Sequence, residues 1–330
     1  MIAFGSAALV FPFNGAPLVA QSILIVAFLV IGIMCCWTVG LFIRGQRSVA
    51  RAPEPREGGA DSFSWVFLVA AMNEEVTIGD SVERLLALAV AHRTIIVIDD
   101  GSDDRTPEIL AAIDHPDLTV LRRDLPNARR GKGQGLNAAY HRIGALLPRA
   151  ERDRVIVVVV DADGRISPDA LPYVAAHFED PGVGGVQSLV RIYNRGGFLT
   201  NMQDLEFAIY GHVYQAGKNR EGTAGMGGNG QFNRLSALDG VVEADGPWRD
   251  RLTEDQDLGL RLLSAGWRSH QELRAEVHQQ GVPRLRPLLR QRTRWAQGNM
   301  QSIDLLSSIL RAPFSVGARL EEALYLFMPL

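Results

Sequence analysis

The hydrophobic pattern of the chain changes abruptly near residue 44. Before it there is no Asp, Glu, Lys, Arg or His, and residues 17–43 are almost wholly apolar. As a helix, these 27 residues would extend ~40 Å, enough to cross a ~30 Å hydrocarbon core. The sequence has no basic start and no clear cleavage site, which argues against a secretory signal peptide. Arginines follow at once, which places this end in the cytoplasm: Arg44, Arg47, Arg51 and Arg56. We predict a membrane segment at 1–50, with its helix at about 17–43.

Short β-branched runs then alternate with helical stretches. Residues 51–62 have the Pro, Gly and charge content of a linker. The main predicted strands beyond it are Val66–Ala71, Thr94–Ile98, Leu118–Leu121 and Val155–Val160. Strand–helix alternation is typical of a parallel sheet with right-handed crossovers. We therefore predict an α/β domain at 63–281, built on a doubly wound, mostly parallel sheet.

The run Val155–Val160 has the sequence of a strand buried on both faces, in the middle of such a sheet. It ends in Asp161-Ala-Asp163-Gly164, and open α/β sheets bind ligands at the carboxyl ends of their strands. Two carboxylates there offer hard oxygen ligands to a divalent cation, which can hold a diphosphate. A solvated turn explains the same residues. An EF-hand calcium loop is excluded, because that loop has its glycine at position six, whereas Gly164 is at position four counted from Asp161.

Other predicted strands also end in polar residues. Asn73 and Glu74 follow the first strand, and Asp99 and Asp100 follow the second. Lys132 stands at a helix start in a glycine-rich loop, where its charge and backbone N–H groups could meet a diphosphate. That loop lacks the P-loop spacing, and no G-x-G-x-x-G follows the first strand. The strand ends thus predict a ligand-binding edge without the loop of a nucleoside triphosphatase or a dehydrogenase.

Two later segments allow both a structural and a functional interpretation. Five glycines stand among residues 222–230, which suits a loop approached closely by a ligand or a flexible loop. The stretch Thr253–Leu260 suits a helix start, with Thr253 as the cap and Glu254 and Asp255 in the first turn. One of these carboxylates could instead be a general base. The spacing favours neither interpretation.

Residues 282–330 combine arginine with apolar side chains. Gln291, Arg294 and Trp295 lie in a basic amphipathic stretch that suits an anionic membrane surface. Trp beside Arg also offers a stacking platform for a sugar and a cation for a phosphate. The closing apolar run, 323–330, suggests the start of a further membrane segment.

Composition narrows the function classes. The formal net charge is −3, so nucleic acid is not an expected partner. Cys35 and Cys36, the two cysteines of the sequence, are adjacent in the apolar run. Neither a disulfide framework nor a zinc site can be built from them.

The ordered series of these motifs resembles the membrane-bound family-2 glycosyltransferases of the GT-A fold, especially the cellulose and hyaluronan synthase group. The resemblance covers about Phe63–Gln301 and implies metal-dependent, inverting hexosyl transfer from a UDP-sugar. Asp255, with Glu254 beside it, would be the catalytic base, and Asp161 and Asp163 would bind Mg²⁺ or Mn²⁺. The implied nucleotide-sugar contacts are Ala70, Asn73, Glu74, Asp99, Asp100, Lys132 and Asp161. The implied acceptor and diphosphate contacts are Gly228, Asn229, Gln231, Gln291, Arg294 and Trp295.

The acceptor stays open at this point. The favoured expectation is processive elongation of a polysaccharide at the inner face of the cell membrane, by a protein that is multi-pass in full length. The alternative is a glycolipid synthase that adds one or a few sugars to a lipid such as diacylglycerol. The loop Gly228–Phe232 lacks the cysteine common in cellulose and chitin synthases, so the polymer is open too. A non-catalytic sensor is disfavoured by the complete carboxylate set, and a nucleotidyltransferase by the membrane anchor.

Overall fold

A computed structural model describes residues 17–146 and 149–327, and an eight-stranded mixed sheet forms its centre. The strands are β1 (Ser64–Ala71), β2 (Arg93–Asp99), β3 (Leu118–Arg122), β4 (Val155–Asp161), β5 (Arg165–Ile166), β6 (Val183–Ile192), β7 (Gln231–Arg234) and β8 (Arg268–Gln279). Their order across the sheet is β3-β2-β1-β4-β7-β6-β8-β5. β7 runs antiparallel to β4 and β6, and β5 antiparallel to β8, whereas the other neighbours are parallel. The predicted mostly parallel sheet is confirmed.

Helices cover both faces of this sheet. They are α1 (Leu18–Val49), α2 (Ile78–Leu86), α3 (Thr106–Ala111), α4 (Lys132–Leu146), α5 (Ala170–Phe178), α6 (Phe198–Ile209), α7 (Ala216–Lys218), α8 (Leu235–Asp239), α9 (Glu254–Ser264), α10 (Leu285–Gln301), α11 (Leu306–Ile309) and α12 (Val316–Phe327). A π-helix, Tyr210–Gln215, joins α6 to α7.

The central strand β1 divides its side chains between two cores. Trp65, Phe67 and Val69 pack with α2, α3 and α5 on one face. Val66 and Leu68 pack with α4, α8 and α9 on the other. β4 alternates in the same way, which explains its unbroken β-branched sequence, because a strand buried on both faces has no polar side. The sheet is thus doubly wound, as predicted.

α1 is the one described helix that is long and apolar enough to cross a membrane. It continues past the predicted end to Val49, and its 32 residues extend ~48 Å. Its last turns pack closely on the π-helix and α7. A Cβ at Gly217 would lie 2.7 Å from Leu41 O, and one at Gly45 would lie 2.7 Å from His212 O. This contact fixes the α/β domain at the arginine-bearing end of α1.

The predicted linker is held against the domain by Arg274 of β8. Its Nη2 donates a hydrogen bond to Pro53 O at 2.9 Å, and its Nη1 pairs with Glu54 at 3.1 Å. Residues 51–62 therefore fix the path of the chain between α1 and β1.

The C-terminal helix α12 packs against protein. Ala323 and Leu326 are buried, and Glu321 pairs with Arg44 of α1 at 3.2 Å. With 12 residues, α12 extends only ~18 Å. The predicted start of a further membrane segment falls on the end of α12 and on 328–330, which lie outside the described residues.

Candidate active site at the carboxyl edge of the sheet

The parallel register brings the predicted strand ends together. Ala70 of β1 lies between Ile98 of β2 and Asp161 of β4, and Ala71 lies opposite Asp99. Parallel strands share one carboxyl edge, where open α/β sheets bind ligands. The polar residues that follow β1, β2 and β4 are therefore neighbours.

The turn after β1 is locked to the turn after β2. Asn73 has φ 60°, a left-handed conformation that Asn tolerates better than most residues. Its Nδ2 donates to Asp103 Oδ1 at 2.7 Å, and its Oδ1 accepts from the Asp103 N–H at 2.9 Å. The N–H of Glu74 donates to Thr106 Oγ1 at 2.8 Å. The Thr106 hydroxyl thus binds the turn after β1, and Arg105 is the N-cap residue of α3.

The two aspartates after β2 differ in their surroundings. Asp99 is buried, and its oxygens accept from Arg122 Nη1 at 2.5 Å and from the Ser102 N–H at 3.0 Å. Asp100 is half-buried and accepts from Arg123 Nη1 at 2.5 Å. Asp99 therefore shapes the loop, and Asp100 is more accessible to a ligand. Sequence reasoning missed both arginines as partners, although the basic composition after β3 was a signal.

Lys132, the first residue of α4, supplies a cation to the site. Its Nζ donates to Asp161 Oδ1 at 2.5 Å and to Gly228 O at 2.6 Å. A Cβ at Gly228 would lie 3.1 Å from Asp255 Oδ2 and 3.4 Å from Lys132 Nζ, so the glycine loop passes close to both. Burial lowers the pKa of Lys132, but Asp161, Glu254 and Asp255 outweigh it and raise the pKa overall.

The start of α9 supplies two further carboxylates. Thr253 occupies the N-cap position of α9, as predicted, but its side chain makes no capping hydrogen bond. Burial raises the pKa of Glu254 to about 7, and repulsion by Asp255 adds to the shift. Burial also raises the pKa of Asp255, while Lys132 opposes that rise. A carboxylate whose pKa is moved towards neutrality suits a general base.

The glycine loop is bound along its length. Asn229 Oδ1 accepts from the Asp161 N–H at 3.2 Å, and Asn229 Nδ2 donates to Gln279 Oε1 at 3.0 Å. Gln187 of β6 donates to Asn229 O at 2.8 Å and accepts from the Gly227 N–H at 2.8 Å. These bonds favour the interpretation as an ordered, ligand-facing loop. No sequence signal marked Gln187, whose place follows from strand pairing.

Gln231 differs from the rest of the predicted acceptor loop. It is the first residue of β7, pairs with Val159 of β4 and is 1% exposed. Its Nε2 has no hydrogen-bond partner among the described residues. Gln231 therefore lies inside the sheet behind the loop.

Asp161 and Asp163 fit a divalent cation that also binds a diphosphate. Within residues 17–146 and 149–327, no three His, Cys, Asp or Glu side chains form a metal cluster. Mg²⁺ commonly takes only one or two carboxylates, with substrate phosphates as further ligands. Burial and the nearby Asp161 raise the pKa of Asp163; burial, Asp163 and Asp161 raise the pKa of Glu74. A bound cation would relieve this repulsion.

α10 packs on the start of α9. A Cβ at Gly298 would lie 2.5 Å from Thr253 Cγ2. The Trp295 ring lies 6.3 Å from the Phe207 ring of α6, and the Arg292 guanidinium lies 4.3 Å above Trp295. These contacts hold α10 and α6 side by side next to the site.

The other two residues of the predicted α10 motif are not brought into the carboxylate cluster. Gln291 is half-buried and Arg294 is exposed. Neither side chain has a hydrogen bond or an ion pair to another residue of the described part of the chain. Their predicted contact with a diphosphate stays a prediction.

Comparison with known proteins gives a consistent family. Residues 65–298 match the family model described as "Glycosyltransferase like family 2". The β-monoglucosyldiacylglycerol synthase of Synechocystis sp. is 33% identical over 268 residues, covering 79% of this chain and 53% of the relative. The poly-β-1,6-N-acetyl-D-glucosamine synthase of Staphylococcus aureus is 31% identical over 265 residues, covering 79% of this chain and 59% of the relative. The chain thus spans little more than half the length of these relatives.

Solved structures share the fold. The mannosyltransferase PcManGT from Pyrobaculum calidifontis, in complex with GDP-Man and Mn²⁺, superposes with a TM-score of 0.63 at 20% identity, covering 90% of this chain and 80% of that one. S. aureus TarS 1–349 with UDP-GlcNAc gives 0.53 at 16% identity, covering 80% and 72%. Both are GT-A transferases, which confirms the predicted GT-A fold.

Proposed function

The chain belongs to the family-2 glycosyltransferases, and from that membership we propose that it transfers a hexose from a UDP-sugar, with inversion, to an acceptor hydroxyl at the membrane surface. One observation carries this assignment. Asp255 and Lys132 meet the same point of the glycine loop, and Lys132 in turn binds Asp161. A candidate base thus lies next to the candidate diphosphate site.

Asp255 would act on the acceptor. Its carboxylate takes the proton of the acceptor hydroxyl while that oxygen attacks the anomeric carbon, from the face opposite the nucleotide. The bond between the anomeric carbon and the diphosphate oxygen breaks, and UDP leaves with the electron pair. General-base assistance contributes ~10²–10⁴-fold in rate. Glu254, protonated more readily because of its raised pKa, keeps negative charge beside Asp255 low.

The strand ends would hold the donor. Asn73, Glu74 and Asp100 border the nucleotide side, with Asp99 bracing the loop behind them. Lys132 would donate hydrogen bonds to the diphosphate. Asp161 and Asp163 would hold Mg²⁺ or Mn²⁺, which as a Lewis acid neutralises charge on the diphosphate.

Exposed apolar surfaces on three helices support a place at the membrane. The first is the side of α1 away from the domain. The second is one face of α6, whose large side chains recur at helical spacing and are exposed: Phe198, Met202, Leu205 and Ile209. Leu285 and Leu289 of α10 are each 56% exposed. Such faces suit a domain that lies on the bilayer surface.

Two acceptors each have a specific observation in their favour. Similarity to the β-monoglucosyldiacylglycerol synthases, at 33–34% identity, favours a diacylglycerol-type lipid. The Gln291–Trp295 motif and the similarity to the poly-N-acetylglucosamine synthases favour a growing glycan. Both acceptors use the same base and donor site and differ in what α6 and α10 must guide to Asp255.

Product analysis tests the proposal. Membranes containing the full-length protein would receive radiolabelled UDP-glucose or UDP-N-acetylglucosamine with Mg²⁺ or Mn²⁺, with Asp255→Asn as the blank. A single labelled lipid in the organic phase establishes glycolipid synthesis, and a high-mass product in the aqueous phase establishes a polysaccharide synthase. No transfer from either donor contradicts the donor assignment.

A further inference from the structure

A cavity of about 670 Å³ lies at the end of α1, and none of its lining residues belongs to the candidate active site. Its walls come from the last turns of α1, the segment after it, the end of α5, the turn after α7 and the start of β8. The cavity therefore lies where the membrane helix meets the α/β domain.

The cavity is strongly basic. Asp180 is its one acidic lining residue, and five arginines line it: Arg44, Arg47, Arg51, Arg220 and Arg268. Arg44 is neutralised by Glu321 at 3.2 Å and Arg268 by Asp180 at 2.6 Å. Arg220 has only a loose pair with Glu221, at 3.9 Å.

Arg47 and Arg51 carry the uncompensated charge. Among the described residues, neither has an ion pair or a side-chain hydrogen bond. Of the two histidines of the wall, His270 adds little charge at neutral pH, because burial lowers its pKa to about 4, and His177 Nε2 lies 2.9 Å from Glu272. A concave site with uncompensated guanidinium groups attracts an anion, and Arg suits phosphate oxygens because it can bind two at once.

The position of the cavity along α1 indicates that the anion belongs to a lipid headgroup. Arg44 directly follows the apolar stretch, and Arg51 comes seven residues later, ~10 Å along the chain axis. That is the depth of lipid headgroups beside a spanning helix. Phe42, Ile43 and Val49 of the same helix are exposed, at 47%, 44% and 43%. A cationic surface thus adjoins an apolar one. A phospholipid needs both surfaces, whereas a soluble phosphate ester needs only the cationic one.

We propose that this cavity, which we call the α1 cavity, binds the phosphate headgroup of an anionic phospholipid through Arg47 and Arg51. The lipid's acyl chains then lie along the exposed side of α1. Basic pockets at the cytoplasmic side of membrane helices bind anionic headgroups by the same chemistry. The lipid contacts α1, the turn after α7 and β8, and so stabilises the packing of the α/β domain on α1.

The test measures lipid binding by the purified full-length chain in detergent micelles. Phosphatidylglycerol and phosphatidylcholine are titrated separately, with bound lipid counted by native mass spectrometry and the thermal midpoint recorded. Wild type binds phosphatidylglycerol more tightly and unfolds at a higher temperature with it. The double variant Arg47→Gln/Arg51→Gln loses about 30-fold in affinity, from roughly fivefold per arginine near an anionic leaflet.

Matched controls separate the site from general charge. Arg105→Gln/Arg142→Gln removes two exposed arginines of the cytoplasmic domain outside the cavity and keeps wild-type affinity. Arg220→Gln, on a different wall, weakens binding about fivefold and tests the cavity without touching α1.

Three results would overturn the proposal. These are equal binding of both lipids, equal loss in the control double variant, and full competition by glycerol 3-phosphate, which would make the ligand a soluble phosphate ester. The binding readout uses no sugar donor, so its failure is distinguishable from a failure of hexosyl transfer.

Discussion

Two carboxylates of α9, two positions apart, have opposite surroundings. Asp257 is fully buried and has cations on several sides: Arg261 Nε at 2.7 Å, Arg249 Nη1 at 3.6 Å and Arg251 Nε at 3.6 Å. Asp255 lies next to Glu254 and close to Asp161, with Lys132 as the cation shared among them. The first cluster is balanced, because Glu243 and Asp304 also pair with these three arginines, whereas the second cluster has excess negative charge.

The difference separates structure from chemistry within one helical turn. Asp257 is compensated in a way that fixes α9 to the loop before it, as a buried ion pair does when its geometry is good. Asp255 is under-compensated, and under-compensated carboxylates with raised pKa values are candidates for proton transfer. The acidic first turn of α9 therefore carries a structural carboxylate, Asp257, and a candidate base, Asp255.

The largest expected effect comes from Asp255→Asn. The isosteric change removes the proton acceptor, so kcat should fall by about 10³-fold, within the range for general-base catalysis. UDP binding by calorimetry and the thermal midpoint should stay close to wild type. A parallel loss of UDP binding or of folding would show that Asp255 is structural.

Asp257→Asn should reverse that pattern. Losing the Asp257 carboxylate removes the buried partner of Arg261 and leaves Arg249 with Glu243 and Arg251 with Asp304. We expect a loss of about 3 kcal/mol in the free energy of unfolding. Residual folded protein should keep near-normal kcat, because Asp257 does not face the glycine loop. Denaturant unfolding measures the loss of stability, and kinetics normalised to the folded protein measure kcat. A stable but inactive Asp257→Asn variant would contradict the structural role of Asp257.

Removal of the metal and of its proposed ligand tests the negative cluster. Chelation should abolish transfer, with recovery on adding Mg²⁺ or Mn²⁺. Asp163→Asn should weaken metal-dependent UDP binding by about tenfold, since one of few carboxylate ligands is lost. Asp169→Asn, an exposed carboxylate six residues on, is the control. Calorimetry with and without metal is the measurement, and unchanged metal dependence in Asp163→Asn would exclude the ligand role.

Glu254→Gln should give the smallest effect, and one that depends on pH. The folded pKa of Glu254, about 7, lies above its ordinary value of 4.5, so the folded state holds this proton over that interval. Stability therefore falls as pH rises from about 4.5 to 7, and the full penalty is present at pH 8. The variant removes this penalty, so its gain in the free energy of unfolding should be larger at pH 8 than at pH 4.5, where the folded wild type is already protonated.

Urea unfolding of both proteins at the two pH values measures this difference. Glu83→Gln, at an exposed position of α2, should show no such dependence. An equal gain for Glu254→Gln at both pH values would mean that its charge is not the cause.

Much of the fold could be predicted from periodicity. β-branched runs marked β1, β2 and β4, and their alternation with helices predicted the parallel part of the sheet. The antiparallel insertion of β7 between β4 and β6 was not predictable, because a four-residue strand after a glycine loop has no distinct pattern. The helix after β1 begins only at Ile78, which local sequence does not mark, since the turn at Asn73 and Glu74 is bound to the loop after β2.

The site could be predicted by residue type but not by partner. Asp161, Asp163 and Lys132 were identifiable from their place at strand and helix ends. Lys132 contacts Asp161 and Gly228 O, and Arg123 pairs with Asp100. These contacts join chain segments 23 to 96 residues apart. No local pattern encodes such distances.

The sequence by itself determined the apolar helix, the α/β alternation, the carboxylates at the strand ends and the family. Its spacing left the acidic turn of α9 undecided between cap and base, because Glu254, Asp255 and Asp257 are alike in a sequence. Tertiary structure distinguishes them, since a carboxylate's pKa depends on the charges and burial that other segments bring to it, and this makes Asp255 the candidate base. Three arginines surround Asp257 and one lysine is shared at Asp255, and that difference exists only after the chain has folded.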